Sequence, residues 1–389
     1  MKKIRFGIIG VGNQGSSYIY SLFDKGRIEN GVVSAVCDIN KFKLDSVKEN
    51  TTNKDIVYFN DYKEMLDSGL CDAVLVETPH YQHPEIVIEC LNRGINVICE
   101  KPAGVYTKQV KEMNEVAKKS NAHFAMMFNQ RTNCLYRKMR EIVQGGGIGE
   151  IQRVNWVITN WFRTQYYYDS GSWRATWAGE GGGVLINQCP HQIDLVQWVI
   201  GKLPKTVYGF CEYGKWHDIE VEDEVTAFFK YDNGATGTFI TTTGEAPGAN
   251  RFEISGTKGK LVADGTTGEL TWYKLEKDSQ EHSKSAKDGF SCPNMEIIKV
   301  ETDGENPQHA GIINNFANAL LGLEDFFVDG TEGINGVELM NAIELSGWNN
   351  GAPVTIPVDE DKYLEELNKR RATSRLKTVD DNKIEKTVW

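Results

Sequence analysis

The sequence lacks the features that mark membrane proteins and nucleic-acid-binding proteins. None of its apolar runs approaches the roughly 20 residues that span a bilayer. Acidic residues outnumber basic ones by 54 to 43, and the formal net charge is −11. A nucleic-acid or anionic-membrane binder would normally present a basic patch instead. We therefore expect neither a nucleic acid nor a membrane among the partners of this chain.

The chain also lacks cysteine pairs of the kind that bind metals. None of the eight cysteines forms a C-x-x-C pair, and no cysteines and histidines stand at the spacing of zinc ligands. Several cysteines lie in apolar runs that are typical of strands, which predicts buried, reduced thiols and no metal site. The first residues enter a strand without a signal-peptide pattern, so we expect a cytoplasmic protein.

What is present begins with a glycine-rich turn between an apolar strand, Ile4–Ile9, and a segment of helical spacing, residues 16–24. The turn carries G-x-G-x-x-G at Gly10, Gly12 and Gly15. In this motif the glycines permit a tight turn, close approach of a pyrophosphate and close helix packing, and the helix N-terminus faces the phosphates. The motif therefore predicts a dinucleotide site. Its predicted cofactor contacts are Gly10, Gly12, Asn13 and Gln14.

An acidic residue follows the second apolar strand, residues 32–37. Asp38 lies about 20 residues beyond the glycines, where a ribose-binding carboxylate is expected. Such a carboxylate accepts hydrogen bonds from the ribose hydroxyls and repels a 2′-phosphate. We therefore predict NAD as cofactor in preference to NADP.

Residues 1–128 alternate apolar strands with helices, which predicts a doubly wound parallel sheet, the Rossmann fold. Ligands of such sheets collect beyond the carboxyl ends of the strands. Three polar strand ends are therefore expected in the crevice, with cofactor contacts from Thr78, Pro79, His83, Glu100, Lys101 and Asn129. For His80 and His83 two interpretations stay open: a functional role in the crevice, or a structural role in which the ring caps the following helix or lines the crevice wall.

Residues 129–365 have a different character, and we predict a second α/β domain there with a large, mostly antiparallel sheet. Polar, irregular structure is expected over residues 273–307, and helical spacing returns over residues 309–321 and Gly333–Trp348. These late helices are expected to return toward the first domain. Residues 366–389 are expected to form a polar C-terminal tail. The predicted strands of the second domain are residues 154–160, 205–210, 222–230, 237–243, 252–255 and 260–263.

A second candidate constellation follows the glycine run of residues 179–183. A helix is expected from about Asn187, which would place Asn187 and His191 on one face, four residues apart. Asp194 would then be able to bond the His191 ring and fix its tautomer. The alternative is a buried histidine of the core, but the polar cluster after a flexible run favours function.

Residues 161–177 are dense in tryptophan, tyrosine and arginine, and they include Trp173 and Arg174. Aromatic faces with a few fixed donors suit stacking on a sugar ring. An oligomer interface favours the same residue types. Both interpretations stay open.

These motifs together resemble the Gfo/Idh/MocA oxidoreductases, the group of glucose–fructose and inositol dehydrogenases. The resemblance covers nearly the whole chain. It implies a nucleotide-binding domain followed by an α/β domain whose open sheet face serves as substrate platform and, commonly, as the interface of a homo-oligomer, here a dimer or tetramer. Its markers are the glycine motif, Thr78-Pro79 with His83, Glu100-Lys101-Pro102, residues 148–151, the glycine run into His191 and Asp194, Asn315-Phe316 and residues 333–339.

The resemblance also implies roles for individual residues. Lys101 would lie near the nicotinamide and the substrate hydroxyl, and His191 would be the acid/base or hydroxyl partner, although which of the two is the base stays open. Many members have Asp where this chain has Asn187, and an amide positions a hydroxyl but relays no proton. The predicted catalytic residues are Lys101, His191 and Asn187. The predicted substrate contacts are Lys101, Trp173, Arg174, Asn187 and His191.

The expected activity is NAD-dependent oxidation of a secondary hydroxyl of a sugar, glycoside or cyclic polyol to a ketone. Two rival classes remain at this point. One is a glycosidase or epimerase-type enzyme that uses NAD in a transient oxidation. The other is a non-catalytic NAD-binding regulator, against which the intact Lys101 and His191 argue.

Overall fold

The apolar strands of the first part of the chain form one parallel sheet with the order β3-β2-β1-β4-β5-β6. The computed structural model describes residues 3–375 and 377. Its central strands β1 and β4 are buried nearly throughout, as expected for a sheet that is covered on both faces. The strands are β1 (Ile4–Ile9), β2 (Gly31–Cys37), β3 (Val57–Phe59), β4 (Ala73–Val76), β5 (Asn96–Cys99) and β6 (Phe124–Met126).

Helices connect these strands and begin close to the predicted positions. Side chains of Asn40 and Asp61 accept hydrogen bonds from the first turns of the two helices that follow them. Two details differ from the prediction: β3 was not expected, and the first helix begins earlier, at Asn13, and ends in a π-helical turn over Ile19–Phe23. The helices are α1 (Asn13–Tyr18), α2 (Lys41–Asn50), α3 (Tyr62–Asp67), α4 (His83–Asn92) and α5 (Thr107–Lys119).

Two glycines of the turn between β1 and α1 are required by its geometry. Gly10 has φ +92°, and a Cβ there would lie 2.6 Å from the carbonyl oxygen of Glu77. A Cβ on Gly15 would lie 2.0 Å from the carbonyl oxygen of Gly10. Both contacts involve backbone, which cannot move aside as a side chain can. The turn is therefore held against the end of β4, at the predicted dinucleotide position.

The second sheet is mixed, with the order β14-β13-β12-β11-β7-β10-β9-β8-β15. All its neighbouring strands are antiparallel except β7 and β10. Trp156 and Phe252 stack at 4.1 Å in its core. Its strands are β7 (Ile151–Ile158), β8 (Thr206–Tyr213), β9 (Glu222–Lys230), β10 (Thr236–Thr242), β11 (Asn250–Gly256), β12 (Gly259–Asp264), β13 (Glu269–Leu275), β14 (Met295–Lys299) and β15 (Val354–Thr355).

Most predicted strands of this half are present, but the irregular structure predicted for residues 273–307 is wrong in part. That segment contains the end of β13, a short helix and β14. β14 is an edge strand of the sheet, and its side chains are mostly exposed. Its sequence therefore carries little apolar alternation. The remaining helices are α6 (Cys134–Gln144), α7 (Gln165–Asp169), α8 (Pro190–Ile200), α9 (Ser279–Ser285), α10 (Gln308–Leu320), α11 (Gly333–Trp348) and α12 (Glu360–Ala372).

Helices α10 and α11 form hydrogen bonds with segments that connect the strands of the first sheet. Asn314 Oδ1 accepts from the backbone N–H of Glu29 at 2.9 Å. Asn341 bonds both the N–H of Thr107 and the carbonyl of Val105, at 3.0 and 2.9 Å. The domain limits at 128 and 365 stay predictions. Of the polar tail predicted for residues 366–389, residue 376 and residues 378–389 lie outside the described part of the chain. Among the described residues no helix has the length and apolarity needed to cross a membrane.

The open face of the second sheet and its neighbouring loops carry exposed apolar side chains, among them Phe210 and Ile297, which are 57% and 62% exposed. The homo-oligomer through this face stays a prediction, which sedimentation of the full chain would test. Exposed aromatic and aliphatic side chains of this kind are compatible with it.

A pair of buried carboxyl groups lies beneath the glycine run that leads into α8. Glu222 accepts hydrogen bonds from the backbone N–H groups of Gly183 and Leu185, at 2.8 and 3.0 Å. These bonds favour its ionised form. Burial, and then the neighbouring Glu222 carboxylate, raise the pKa of Glu344 well above its usual value. Glu344 is therefore the member of the pair that holds a proton.

This pair makes stability depend on pH in a defined direction. The folded chain keeps a proton on Glu344 that an unfolded chain releases above its ordinary pKa, so stability falls as the pH rises toward the raised folded pKa. Glu344→Gln removes that loss. We expect its melting temperature, relative to the parent chain, to increase between about pH 5 and about pH 9. Scanning fluorimetry measures this, with Glu281→Gln on the exposed helix α9 as control. A difference that is flat with pH would contradict the assignment.

Candidate active site

The side chain of Lys101 joins the two halves of the molecule. It follows β5 at the carboxyl edge of the parallel sheet, is half-buried, and donates from Nζ to the backbone carbonyl of Asn187 at 3.0 Å. Burial lowers the pKa of Lys101, and the nearby carboxylates of Glu100 and Glu180 act in the opposite direction. At neutral pH, the charged and neutral forms of the Lys101 amine are therefore closer in free energy in this site than in water.

Asn187 precedes the helix rather than beginning it. The prediction of a helix from about Asn187 is wrong, because α8 starts at Pro190 and residues 184–188 form turns. The backbone N–H of Asn187 donates to the carbonyl of Gly183 at 3.0 Å, and its side-chain Nδ2 donates to the carboxylate of Glu180. Proline at the first position of a helix explains the start at Pro190.

His191 lies in the first turn of α8 and is half-buried. Its Nδ1 is buried and has no hydrogen-bond partner among the described residues. Burial lowers the pKa of His191 well below its usual value, and the neighbouring Lys101 and His309 lower it further. The ring is therefore neutral, with a polar atom left for a ligand.

Asp194 does not orient His191, so that prediction is wrong. Its carboxylate instead binds the guanidinium of Arg131 in a bidentate pair, at 2.7 and 2.6 Å, and accepts from Gln197 at 3.0 Å. Arg131 also pairs with Glu332. An arginine supplies the planar fork that a buried carboxylate requires, and the histidine does not. This network fixes α8 against the turn that follows β6.

The aromatic stretch, residues 161–177, places Trp173 and Arg174 near the site that contains Lys101, Asn187 and His191. Arg174 Nη1 donates to the Tyr167 hydroxyl at 2.7 Å, and its guanidinium stacks on the rings of Tyr167 and Trp173 at 4.4 and 4.8 Å. Trp173 meets the ring of His80 edge-on at 5.7 Å. The substrate role predicted for Trp173 and Arg174 stays a prediction.

The turn between β1 and α1 is shaped to receive a dinucleotide. Apart from Gly12 and its two chain neighbours, no atom of the described residues lies within 4 Å of the position that a Cβ on Gly12 would take. This leaves open space next to the backbone N–H groups of Asn13 and Gln14 at the helix start. Asp38 Oδ2 accepts from the N–H of Val11 at 2.9 Å, so the carboxylate is fixed beside the turn. The residues present therefore fit NAD, with lone pairs of Asp38 left for ribose hydroxyls.

The two histidines after β4 have different environments. His83 is buried, and its ring nitrogens lie 2.7 Å from the carbonyls of Pro102 and Thr78, so it braces the loops that follow β4 and β5 against each other. His80 lies with Nδ1 at 3.1 Å from the carbonyl of Glu180 and lines the crevice wall. For both rings burial lowers the pKa.

Other predicted cofactor residues take part in bonds within the chain. Glu100 accepts from the hydroxyl of Tyr18 and from the backbone N–H of Lys101. Asn129 Nδ2 donates to Gln308 at 2.7 Å. The hydroxyl of Thr78 is buried without a partner among the described residues, next to Pro79. Whether these groups contact the cofactor stays a prediction.

Sequence reasoning missed three ionisable residues that the fold brings to the site. Glu180 bonds Asn187, and His309 at the start of α10 faces Tyr18 at 5.3 Å and acts electrostatically on Lys101 and His191. Glu77 follows β4 with both carboxylate oxygens buried and unpaired among the described residues, and its burial raises its pKa. No motif marks these residues, because their electrostatic relation to Lys101 joins parts of the chain that lie apart in sequence.

A parallel nucleotide-binding sheet, a lysine at its carboxyl edge and a histidine from a second sheet domain define a dinucleotide-dependent oxidoreductase. Residues 4–128 match the family model of an oxidoreductase family with an NAD-binding Rossmann fold, and residues 136–278 match the GFO/IDH/MocA C-terminal domain. The chain belongs to the Gfo/Idh/MocA family of NAD-binding oxidoreductases.

Several relatives of the chain are named as dehydrogenases. The chain is 26% identical to myo-inositol 2-dehydrogenase of Thermotoga maritima over 67% of its own length and 75% of that protein. It is 27% identical to levoglucosan dehydrogenase of Pseudarthrobacter phenanthrenivorans over 52% and 58% of the two chains. The WlbA dehydrogenase of Chromobacterium violaceum, solved with NADH and UDP-GlcNAcA, superposes with a TM-score of 0.78 at 28% identity, covering 92% and 97% of the two chains.

The environment of His191 predicts its charge state. Because burial, Lys101 and His309 all lower its pKa, the ring stays neutral across the neutral range. In spectra of chain labelled at histidine Cε1, the resonance that disappears in His191→Gln should not shift between about pH 6 and about pH 8. A titration centred at or above the ordinary histidine value of about 6.5 would contradict this environment.

Proposed function

We propose that this chain oxidises a secondary hydroxyl of a sugar, glycoside or cyclic polyol to a ketone with NAD as cofactor, or catalyses the reverse reduction. The observation that carries the proposal is the hydrogen bond between Lys101 Nζ and the Asn187 carbonyl, near His191, whose Nδ1 has no partner among the described residues. It brings a cation and a neutral imidazole together at the carboxyl edge of the parallel sheet. The family and its inositol and levoglucosan dehydrogenases support the substrate class.

The proposed roles follow from charge. NAD supplies the hydride acceptor of the reaction. His191 is neutral, so its ring accepts the hydroxyl proton without first losing one of its own. Lys101 stabilises negative charge on the substrate oxygen when protonated, and its lowered pKa also makes its neutral form accessible as a base. Asn187 positions a hydroxyl and moves no proton, because an amide does not titrate.

The substrate side of the crevice suits a polar ring. Trp173 offers an aromatic face, and Arg174 offers donors that its stacking on Tyr167 holds in a fixed orientation. A pyranose or inositol ring presents one apolar face and several equatorial hydroxyls, which such a pair matches. The preference for NAD over NADP rests on Asp38, whose carboxylate is fixed beside the glycine turn and would repel a 2′-phosphate.

To test the proposal, a panel of sugars, inositols and glycosides is incubated with NAD and with NADP, and the absorbance of the reduced cofactor is monitored. We expect NADH formation with members of the panel and weaker turnover with NADP. Lys101→Met should abolish hydride transfer while NAD still binds, because it removes the charge and leaves the glycine turn and Asp38 intact.

The outcomes separate the rival classes. A glycoside that is cleaved, or a sugar that is epimerised, without net NADH would replace the dehydrogenase by an enzyme of transient oxidation. NAD binding with no turnover of any panel member would favour a regulator. Parent-level turnover by Lys101→Met would contradict the role given to Lys101.

A further inference from the structure

Glu180 is a buried carboxylate to which the reaction above gives no role. It lies within the glycine run of residues 179–183, directly before Gly181, and it is 2% exposed. An ionisable group at this depth is costly unless its neighbours compensate its charge. Its contacts therefore show which neighbouring groups interact with the buried charge.

Both carboxylate oxygens of Glu180 accept hydrogen bonds. Oε2 accepts from the backbone N–H of Ala175 at 2.5 Å, and Oε1 accepts from the side-chain amide of Asn187. The guanidinium of Arg174 lies 4.0 Å from Oε1. Donors surround the group, so these contacts favour the ionised form over the acid, although burial raises its pKa.

The bond to Glu180 fixes which atom of Asn187 is left for a ligand. An ionised carboxylate only accepts, so the amide must present Nδ2 to it. Within the described residues no hydrogen bond reaches Asn187 Oδ1. The same residue binds Lys101 through its backbone carbonyl at 3.0 Å. Glu180 thus fixes the side chain of Asn187, whose backbone carbonyl binds Lys101. The bond to Glu180 leaves Asn187 Oδ1 as an acceptor for a substrate hydroxyl.

The charges near Lys101 show what the loss of Glu180 would change. Glu100 and Glu180 favour the protonated lysine, and Arg174 disfavours it. Without the Glu180 carboxylate, the Lys101 ammonium and the Arg174 guanidinium would lie near each other with one negative charge fewer beside them. The other titratable groups that interact with Lys101 are Glu77, His80, His83, His191 and His309.

We propose that Glu180 is a positioning residue of the active site: its buried carboxylate orients the Asn187 amide toward the substrate and is the counter-charge that holds Lys101 and Arg174 together in the crevice. The inference rests on the proposed function for its effect on turnover. Its effect on Lys101 itself needs no substrate. Glu180 supplies the carboxylate that Asn187 lacks.

The test compares three variants of the full chain. Glu180→Gln removes the charge and keeps the shape. The double variant Glu180→Gln/Asn187→Asp exchanges amide and carboxylate across the same hydrogen bond and restores the charge. Glu338→Gln is the matched control, since Glu338 is also buried and accepts a backbone hydrogen bond, from Val358 at 2.9 Å, on the far helix α11. The pH midpoint of Lys101 acetylation by acetic anhydride, followed by peptide mass spectrometry, reports the lysine without substrate.

We expect the Lys101 labelling midpoint to fall by about one pH unit in Glu180→Gln, as loss of a nearby opposite charge requires. The exchange variant should return it toward the parent value, and Glu338→Gln should leave it unchanged. With a substrate from the panel, kcat should fall about tenfold or more in Glu180→Gln, with the KM for NAD unchanged, and recover in the exchange variant.

Other outcomes overturn the proposal. A midpoint in Glu180→Gln equal to that in Glu338→Gln would show that the carboxylate does not act on Lys101. A loss of kcat that the exchange variant does not recover would show a structural role only. If Glu180→Gln does not fold, the exchange variant still decides, because a midpoint different from the parent's contradicts the proposal. Absence of turnover with the whole panel contradicts the proposed function and leaves the labelling result standing.

Discussion

The hydrogen bond from Lys101 to the carbonyl of Asn187 is the contact on which the site depends. It joins the carboxyl edge of the parallel sheet to the turn that follows the glycine run of the second sheet domain, across 86 positions of sequence. A half-buried ammonium needs acceptors, and a backbone carbonyl supplies one without adding a charge. The contact therefore determines where the cation lies, and the residues around it determine how readily it gives up its proton.

Charge is unevenly distributed around that lysine. The histidines that surround it, His80, His83, His191 and His309, all have lowered pKa values, with burial as the largest cause. Of the carboxyl groups near it, Glu100 accepts from Tyr18 and Glu180 from Asn187, whereas Glu77 has no partner among the described residues. Among the described residues, the crevice thus contains histidines of lowered pKa next to Lys101, an arrangement suited to moving one proton to and from a hydroxyl.

Local patterns in the sequence were sufficient for much of the fold. The glycine motif, the apolar strands and the helices Lys41–Asn50 and Thr107–Lys119 follow from periodicity and spacing, because neighbours in sequence decide them. β14 was missed because an exposed edge strand lacks apolar alternation. The start of α8 was misplaced because Pro190, a proline at the first position of a helix, was not used as a start signal. The turn before it is held by Glu222, which lies more than 30 positions away.

The site could be predicted only in part, for the same reason. Lys101, Asn187 and His191 were found from motifs and from the family resemblance, and they do come together. The partner of Asp194 was wrong because Arg131 competes for the carboxylate and offers better geometry than a histidine. Glu180 and His309 had no local signal, since their relation to Lys101 is created by the packing of the two domains.

A crystal structure of the full chain with bound NAD tests the central claim most directly. The account predicts that the nicotinamide ring lies between Lys101 and His191, with C4 facing the side chains of both and with Asp38 on the adenosine ribose. It would be contradicted by a nicotinamide ring that lies away from these two residues, or by a closed crevice in which Lys101 no longer binds the Asn187 carbonyl.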